Sequence, residues 1–215
     1  MRHFMMWALA LLLSMPLLGQ AAAQTPHQVV EDSSVRIMET LNENRELYQQ
    51  DAEAFLQGLD AVLGPVVDFQ GIARSVMTVR YSRSASPEQM ERFIETFKRS
   101  MVQFYGNALL EFDSGKIRVL PPARGSQQTE TRASVDMEVR ANNGNVYPVT
   151  YTMARVDGQW KVRNVIVEGI NIGLLFRDQF AQAMQTHRND LDAVIDNWGG
   201  VVAESREVVK EEVAE

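Results

Sequence analysis

Few side chains in this 215-residue chain have the type and spacing that chemistry requires. Its three histidines, His3, His27 and His187, stand in no H-E-x-x-H or other metal-ligand spacing. No G-x-S-x-G elbow, glycine-rich phosphate loop or paired-carboxylate motif occurs. Cysteine is absent, which removes thiolate metal sites, disulfides and a lipidated N-terminal cysteine. Asp136 and Glu138 alternate onto the polar face of a strand, and tyrosine alone, as Tyr147 or Tyr151, is a poor start for acid catalysis. No catalytic residue and no metal ligand is therefore assigned. What remains is Arg80 and Arg83 flanking Tyr81. A guanidinium can hold a phosphate bidentately. The same pair also reads as two solvated side chains or as a docking patch.

The elements that must position these groups run as helices, then strands, then helices. Gln28 to about Gln50 carries Val30, Ile37, Leu41 and Tyr48 on one face, and Asp51–Leu63 carries Phe55, Leu59 and Leu63 before Gly64-Pro65 ends it. A short helix over Phe69–Met77 leads through a basic turn at Arg80–Arg83 into a long helix from Ser86 to Phe112. Ser86, Pro87 and Gln89 form its capping box. Met90, Phe93, Ile94, Phe97, Met101, Phe104 and Tyr105 recur at helical spacing behind that cap, a face rich in Phe and Met. Such a face closes a core or lines an adaptable pocket.

Beyond Ser114-Gly115 the period changes to two. Strands are predicted at Ile117–Leu120, Ala133–Arg140, Tyr147–Met153 and Trp160–Val167. A polar loop spans Pro121–Arg132, and turns fall at Asn142–Gly144 and Asp157-Gly158. From Asn171 the pattern is helical again, with Asn189-Asp190 capping a last helix that bears Leu191, Val194, Ile195 and Trp198. The fold class is α+β: a twisted four-stranded antiparallel sheet packed against a layer of helices. Met137, Val139, Val149, Tyr151, Val165 and Val167 on the sheet are expected to oppose Phe93, Phe97, Met101, Phe104 and Tyr105 on the long helix.

Residues 1–23 read as a cleaved secretory signal, with Arg2, an apolar run over Phe4–Leu18 and an A-x-A site at Ala21–Ala23. The run is too short for a transmembrane anchor. Residues 24–202 form one domain, and 203–215 a charged tail expected to be disordered. The net charge of −7 argues against nucleic acid or anionic membrane as a non-specific partner. A monomer is expected.

Two blocks carry a family resemblance. The first is Asp68-Phe69, Ile72-Ala73-Arg74, Tyr81 with Arg83, and Ala85-Ser86-Pro87-Glu88-Gln89 followed by Phe93, Phe97 and Tyr105. The second is Gln159-Trp160-Lys161-Val162, Glu168-Gly169-Ile170 and Arg177-Asp178-Gln179-Phe180. In these residues the chain resembles the MlaC/toluene-tolerance family of periplasmic phospholipid-binding proteins, over nearly its whole mature length. Val79 stands where the family usually has glycine, and Asn171 where serine is common.

The resemblance implies a periplasmic phospholipid carrier, with lipid tails between a curled sheet and a helical layer. Phospholipid is then cargo, and no cofactor is needed. Lipid contacts are expected on the helices from Val76, Met77, Tyr81, Phe93, Phe97, Met101, Phe104 and Tyr105. The sheet would add Met137, Val139, Val149, Tyr151, Val165 and Val167, and the chain beyond it Ile170, Ile172 and Leu175. Arg80 and Arg83 become candidate headgroup contacts. The implied partners are an inner-membrane ABC transporter with an MCE-domain subunit and an outer-membrane lipoprotein–porin complex. Two acyl tails bring on the order of 30 methylenes at about 0.8 kcal/mol each, so roughly 24 kcal/mol opposes their exposure and a carrier must enclose them. The rival readings are a small hydrolase or isomerase with a conical α+β pocket, which needs an inward ionisable group, and an adaptor with a filled core.

Overall fold

The computed structural model describes residues 24–111, 117–122, 128–140 and 144–203, with the backbone alone for 104–111. A capping box starts α1 (Pro26–Glu43): Gln28 N donates to Thr25 Oγ1 at 3.2 Å and Thr25 N to Gln28 Oε1 at 2.9 Å. The sequence reads as one helix through Gln50, but the structure breaks it at Asn44. There Nδ2 turns back onto the Thr40 carbonyl at 3.0 Å, and α2 (Arg45–Gln50) begins afresh. Asp51 then caps α3 (Ala52–Leu63), accepting from Glu53 N and Ala54 N.

Asp68 caps α4 (Phe69–Val76) through Gly71 N at 2.8 Å. Thr78, with φ of 63°, holds the left-handed conformation that kinks the chain into α5 (Thr78–Ser82), so the predicted basic turn is a short helix. The left-handed residue is Thr78, and its neighbour Val79, where the family usually has glycine, lies in α5 with 61% of its surface exposed. The long helix α6 (Pro87–Glu111) starts as predicted: Gln89 N donates to Ser86 Oγ at 3.1 Å and Ser86 N to Gln89 Oε1 at 3.0 Å.

The described strands are β1 (Ile117–Val119), β2 (Arg132–Arg140), β3 (Val146–Val156), β4 (Gln159–Val167) and β5 (Ile170–Asn171), an antiparallel meander in chain order. The sheet thus has a fifth strand that the sequence reading lacks. Two residues are too few to show a period, and what makes β5 is the turn before it. Glu168 and Gly169 both have positive φ, the primed geometry that folds Ile170 back onto Val167. Asp157-Gly158 makes the predicted hairpin the same way. The turn expected at Asn142-Asn143 lies outside the described residues, as do 1–23 and most of the tail.

After the sheet come α7 (Ile172–Thr186), α8 (Leu191–Asp196) and a last turn of helix, α9, over 198–203. Asn171 caps α7, its Oδ1 accepting from Leu174 N at 3.1 Å, so it performs the capping that serine would.

Apolar burial gathers in three clusters. The helical one joins α4, α6, α7, α8 and α9 around Trp198. A second lies between the sheet and α1, with Val29 and Val30 against Val135, Met137 and Val149. The third joins α1, α2 and α3 through Met38, Leu41, Tyr48, Phe55 and Leu59. The helix across the apolar face of the sheet is therefore α1, which meets β1, β2 and β4, whereas α6 packs against α2, α3, α4 and α8. This corrects the expected pairing of the sheet with Phe93 and Phe97. Both elements are amphipathic, and period alone does not say which helix meets which face.

Candidate functional site

One face of the sheet forms the apolar floor, and a bulge keeps it continuous. In β4 the pairing jumps from Thr152–Asn164 to Met153–Val162, leaving Arg163 unmatched. Trp160 and Val162 before the bulge, and Val165 and Val167 after it, thereby share a face that strict alternation would have split. Three cross-strand rows follow: Ala133–Met153–Val162, Val135–Tyr151–Val165 and Met137–Val149–Val167.

Burial is uneven along those rows. The first is sealed, with Met153 fully buried and Ala133 and Val162 nearly so. Toward the other end Val139, Tyr147, Tyr151, Val165 and Val167 keep accessible surface although they face inward. Tyr151 is the most telling of these. Burial pushes its phenol above its ordinary pKa near 10, while part of the side chain stays accessible. Inward-facing apolar side chains that keep accessible surface outline a recess over this floor.

The helical positions behave differently. Val76, Met77 and Phe93 are fully buried, and Phe97 nearly so. Trp198 is boxed by Phe93, Phe97, Phe176 and Phe180 at ring separations of 5.1–6.3 Å. That is close packing, edge-to-face for Phe93, stacked for Phe97 and tilted for Phe176 and Phe180, and it leaves these rings no open side. The structure thus does not bring Phe93 and Phe97 together with the sheet positions. Met101 is partly buried and lines a recess of about 60 Å³ with Leu56, Leu59, Leu63, Phe69 and Val102, roofed by Lys98. The Lys98 ammonium sits 5.4 Å from the Phe69 ring and pairs with Asp60 and Glu95. The side chains of Phe104 and Tyr105 lie outside the described residues. Ile170, Ile172 and Leu175 are partly buried where β5 passes into α7, Ile172 against the helical cluster.

Arg80 in α5 and Arg83 at its C-cap are exposed, with the Arg80 guanidinium 5.2 Å above the Tyr81 ring. Tyr81 packs edge-on to Phe180 and donates to Asn189 Oδ1 at 2.8 Å, which puts this basic segment at the far end of α7. The arginines that line a groove against the sheet are Arg132 and Arg163, in an open cleft of about 400 Å³ between α4, α7 and β2–β4. Arg163 is tied to Asp68 at 2.6 Å, and Asn164 bridges Asn171 and Gly173 N at 2.9 Å each. Sequence reasoning missed this network. Its signal was the Arg163-Asn164 doublet interrupting an otherwise alternating strand.

His27 is partly buried in α1 and His187 partly buried at the C-cap of α7, far apart in the sequence. Among the described residues no group of His, Asp and Glu comes together that could hold a metal ion.

A family model described as MlaC protein matches residues 31–199. This chain belongs to the MlaC family. It is 55% identical over 199 residues to the toluene tolerance protein ttg2D of Pseudomonas putida, covering 93% of this chain and 91% of that one. The intermembrane phospholipid transport system binding protein MlaC of Haemophilus influenzae is 22% identical over 189 residues, 84% of this chain and 76% of that one. The fold is shared with a phospholipid-binding protein of Ralstonia solanacearum, solved in complex with a phospholipid. The TM-score is 0.72 at 21% identity, over 85% of this chain and 99% of that one. Among the described residues of the MlaC-family chain no helix is long and apolar enough to cross a membrane. The α+β class expected from sequence holds, with five strands in place of four.

Proposed function

We propose that this MlaC-family protein is a periplasmic phospholipid carrier, exported by a signal at residues 1–23. It would take up and deliver lipid between an inner-membrane ABC transporter with an MCE-domain subunit and an outer-membrane lipoprotein–porin complex, and so maintain outer-membrane lipid asymmetry. The observation that carries this reading is the apolar sheet face that α1 closes at one end and leaves unsealed from Tyr151 to Val139 and Val167. A filled adaptor core would have no such partly open apolar floor. A hydrolase would need an acid–base group facing in, and an inward tyrosine alone is a poor start. Asp136 instead accepts from Thr150 at 2.6 Å, and Glu138 pairs with Arg118 at 2.7 Å, both on the opposite face. The names of the two curated relatives, one for phospholipid transport and one for toluene tolerance, support the same reading.

Transfer then involves no covalent step. Tails leave one apolar enclosure for another along a shielded path, because each exposed methylene costs about 0.8 kcal/mol. Native mass spectrometry of the mature protein, with extraction of bound material, tests the proposal. Adducts with phospholipid masses are expected. A protein that stays free of lipid after incubation with phospholipid vesicles would overturn it.

A further inference from the structure

Tyr151 occupies the middle of β3, between Val135 on β2 and Val165 on β4. Its neighbours on the same face are Met137, Val149 and Val167, which offer nothing stronger than the weak thioether acceptor of Met137. Its hydroxyl has no partner among the described residues, in contrast to Tyr81, whose hydroxyl is satisfied by Asn189. The hydroxyl is not sealed off: among the described residues the buried side-chain polar atom without a partner is Trp198 Nε1, so the Tyr151 hydroxyl keeps accessible surface in an apolar setting and is free to donate. Phenylalanine would fill this place without offering a donor. The surroundings are dense enough that burial raises the phenol's pKa.

We propose that the Tyr151 hydroxyl is the polar anchor for cargo within the recess, donating a hydrogen bond to an ester carbonyl of a bound diacyl glycerolipid. The inference rests on the carrier reading and names the part of the lipid that this site recognises. A phospholipid presents, in order, apolar tails, ester carbonyls and an anionic phosphate. The sheet positions around Tyr151 carry no cation, and a buried unpaired phosphate is strongly disfavoured, so the phosphate stays toward solvent. The ester carbonyls lie next to the tails and only accept. Tyr151 can donate. Anchoring there sets how deep the tails run and leaves the headgroup unread.

The test loads mature wild-type protein and Tyr151→Phe from mixed vesicles. The vesicles hold equal amounts of dioleoyl phosphatidylglycerol and its diether analogue of the same chain length, and native mass spectrometry reads the occupancy ratio. A single hydrogen bond predicts a preference for the diester of about three- to tenfold in the wild type. That preference should vanish in Tyr151→Phe. Equal diester-to-diether ratios in the two proteins would overturn the anchor, as would a wild type without preference. Infrared spectra of lipid carrying carbon-13 carbonyls supply an independent readout: the bound carbonyl stretch should lie lower in wild type than in Tyr151→Phe, and coincident bands would overturn it. If neither lipid loads into either protein, the carrier reading itself fails. A wild type that binds both lipids without preference refutes only the anchor.

Discussion

Arg163 Nη1 donates to Asp68 Oδ2 across 2.6 Å, joining the bulged residue of β4 to the N-cap of α4. The other Asp68 oxygen takes Gly71 N at 2.8 Å, and the Asp68 backbone N–H meets the Val162 carbonyl at 3.0 Å. One carboxylate therefore holds helix and sheet in register. Asp68 is largely buried, whereas Arg163 keeps over a third of its side-chain surface, so screening trims the ionic part. Asp68→Ala loses cap and pair together and should cost about 2 kcal/mol, whereas Arg163→Gln should cost about 1 or less. Urea denaturation of the two variants measures the order. Equal losses would mean that the cap contributes nothing.

Gly71 sits under that pair. A Cβ built there would lie 2.3 Å from Arg163 Nη1 and 2.4 Å from Asp68 Oδ2, closer than real contacts allow. Alanine is the better helix former by about 1 kcal/mol, so an exposed helix would gain from Gly71→Ala. Here the sign should reverse, with a net loss of about 1–2 kcal/mol as the pair is pushed apart. A raised melting temperature would show that the Arg163 side chain swings away freely.

Legibility in the sequence followed the range of each signal. The capping boxes at Ser86 and the hairpin at Asp157-Gly158 are local, and both appear where the residues put them. The strand positions Tyr151, Val165 and Val167 share a face as the spacing suggested, and the bulge at Arg163 adds Trp160 and Val162 to that face. What the sequence could not tell is which amphipathic face meets which. The Phe-rich face of α6 was expected to meet the sheet, but aromatic rings from α7 and Trp198 close over Phe93 and Phe97, and α1 packs on the sheet. Helix–helix and helix–sheet contacts use the same apolar stripe, so period is blind to the choice. The Asn164–Asn171 bridge was hidden for another reason. Polar residues seven apart carry no pattern until a turn brings them together.

That regrouping changes which substitution probes the cargo. Phe97→Glu would bury a carboxylate in the box around Trp198, with no cation there to pair it, and the protein should fail to fold. Val167 is partly buried on the unsealed end of the sheet, so Val167→Glu can hydrate its charge when the recess is empty. It should keep native circular dichroism, lose about 1–2 kcal/mol of stability and retain no lipid. A folded Val167→Glu that still carries a full lipid load would place the tails elsewhere.

The Tyr151 phenol gives the fold an alkaline limit. In the unfolded chain it titrates near 10, and burial holds it higher in the native state. Between those two values the native protein keeps a proton that the unfolded chain has released. Unfolding then releases that proton, so stability falls as pH rises through the window. Below the unfolded value the contribution is complete, so nothing should change from neutral pH up to about 9. Melting temperatures taken from about pH 9 to 11.5 should decline for wild type more steeply than for Tyr151→Phe, which has no proton to lose there. The difference between the two proteins, and not the wild-type slope, carries the result. Parallel curves would mean that the Tyr151 hydroxyl is solvated, and an open, solvated phenol would leave the recess without the enclosure that lipid tails require.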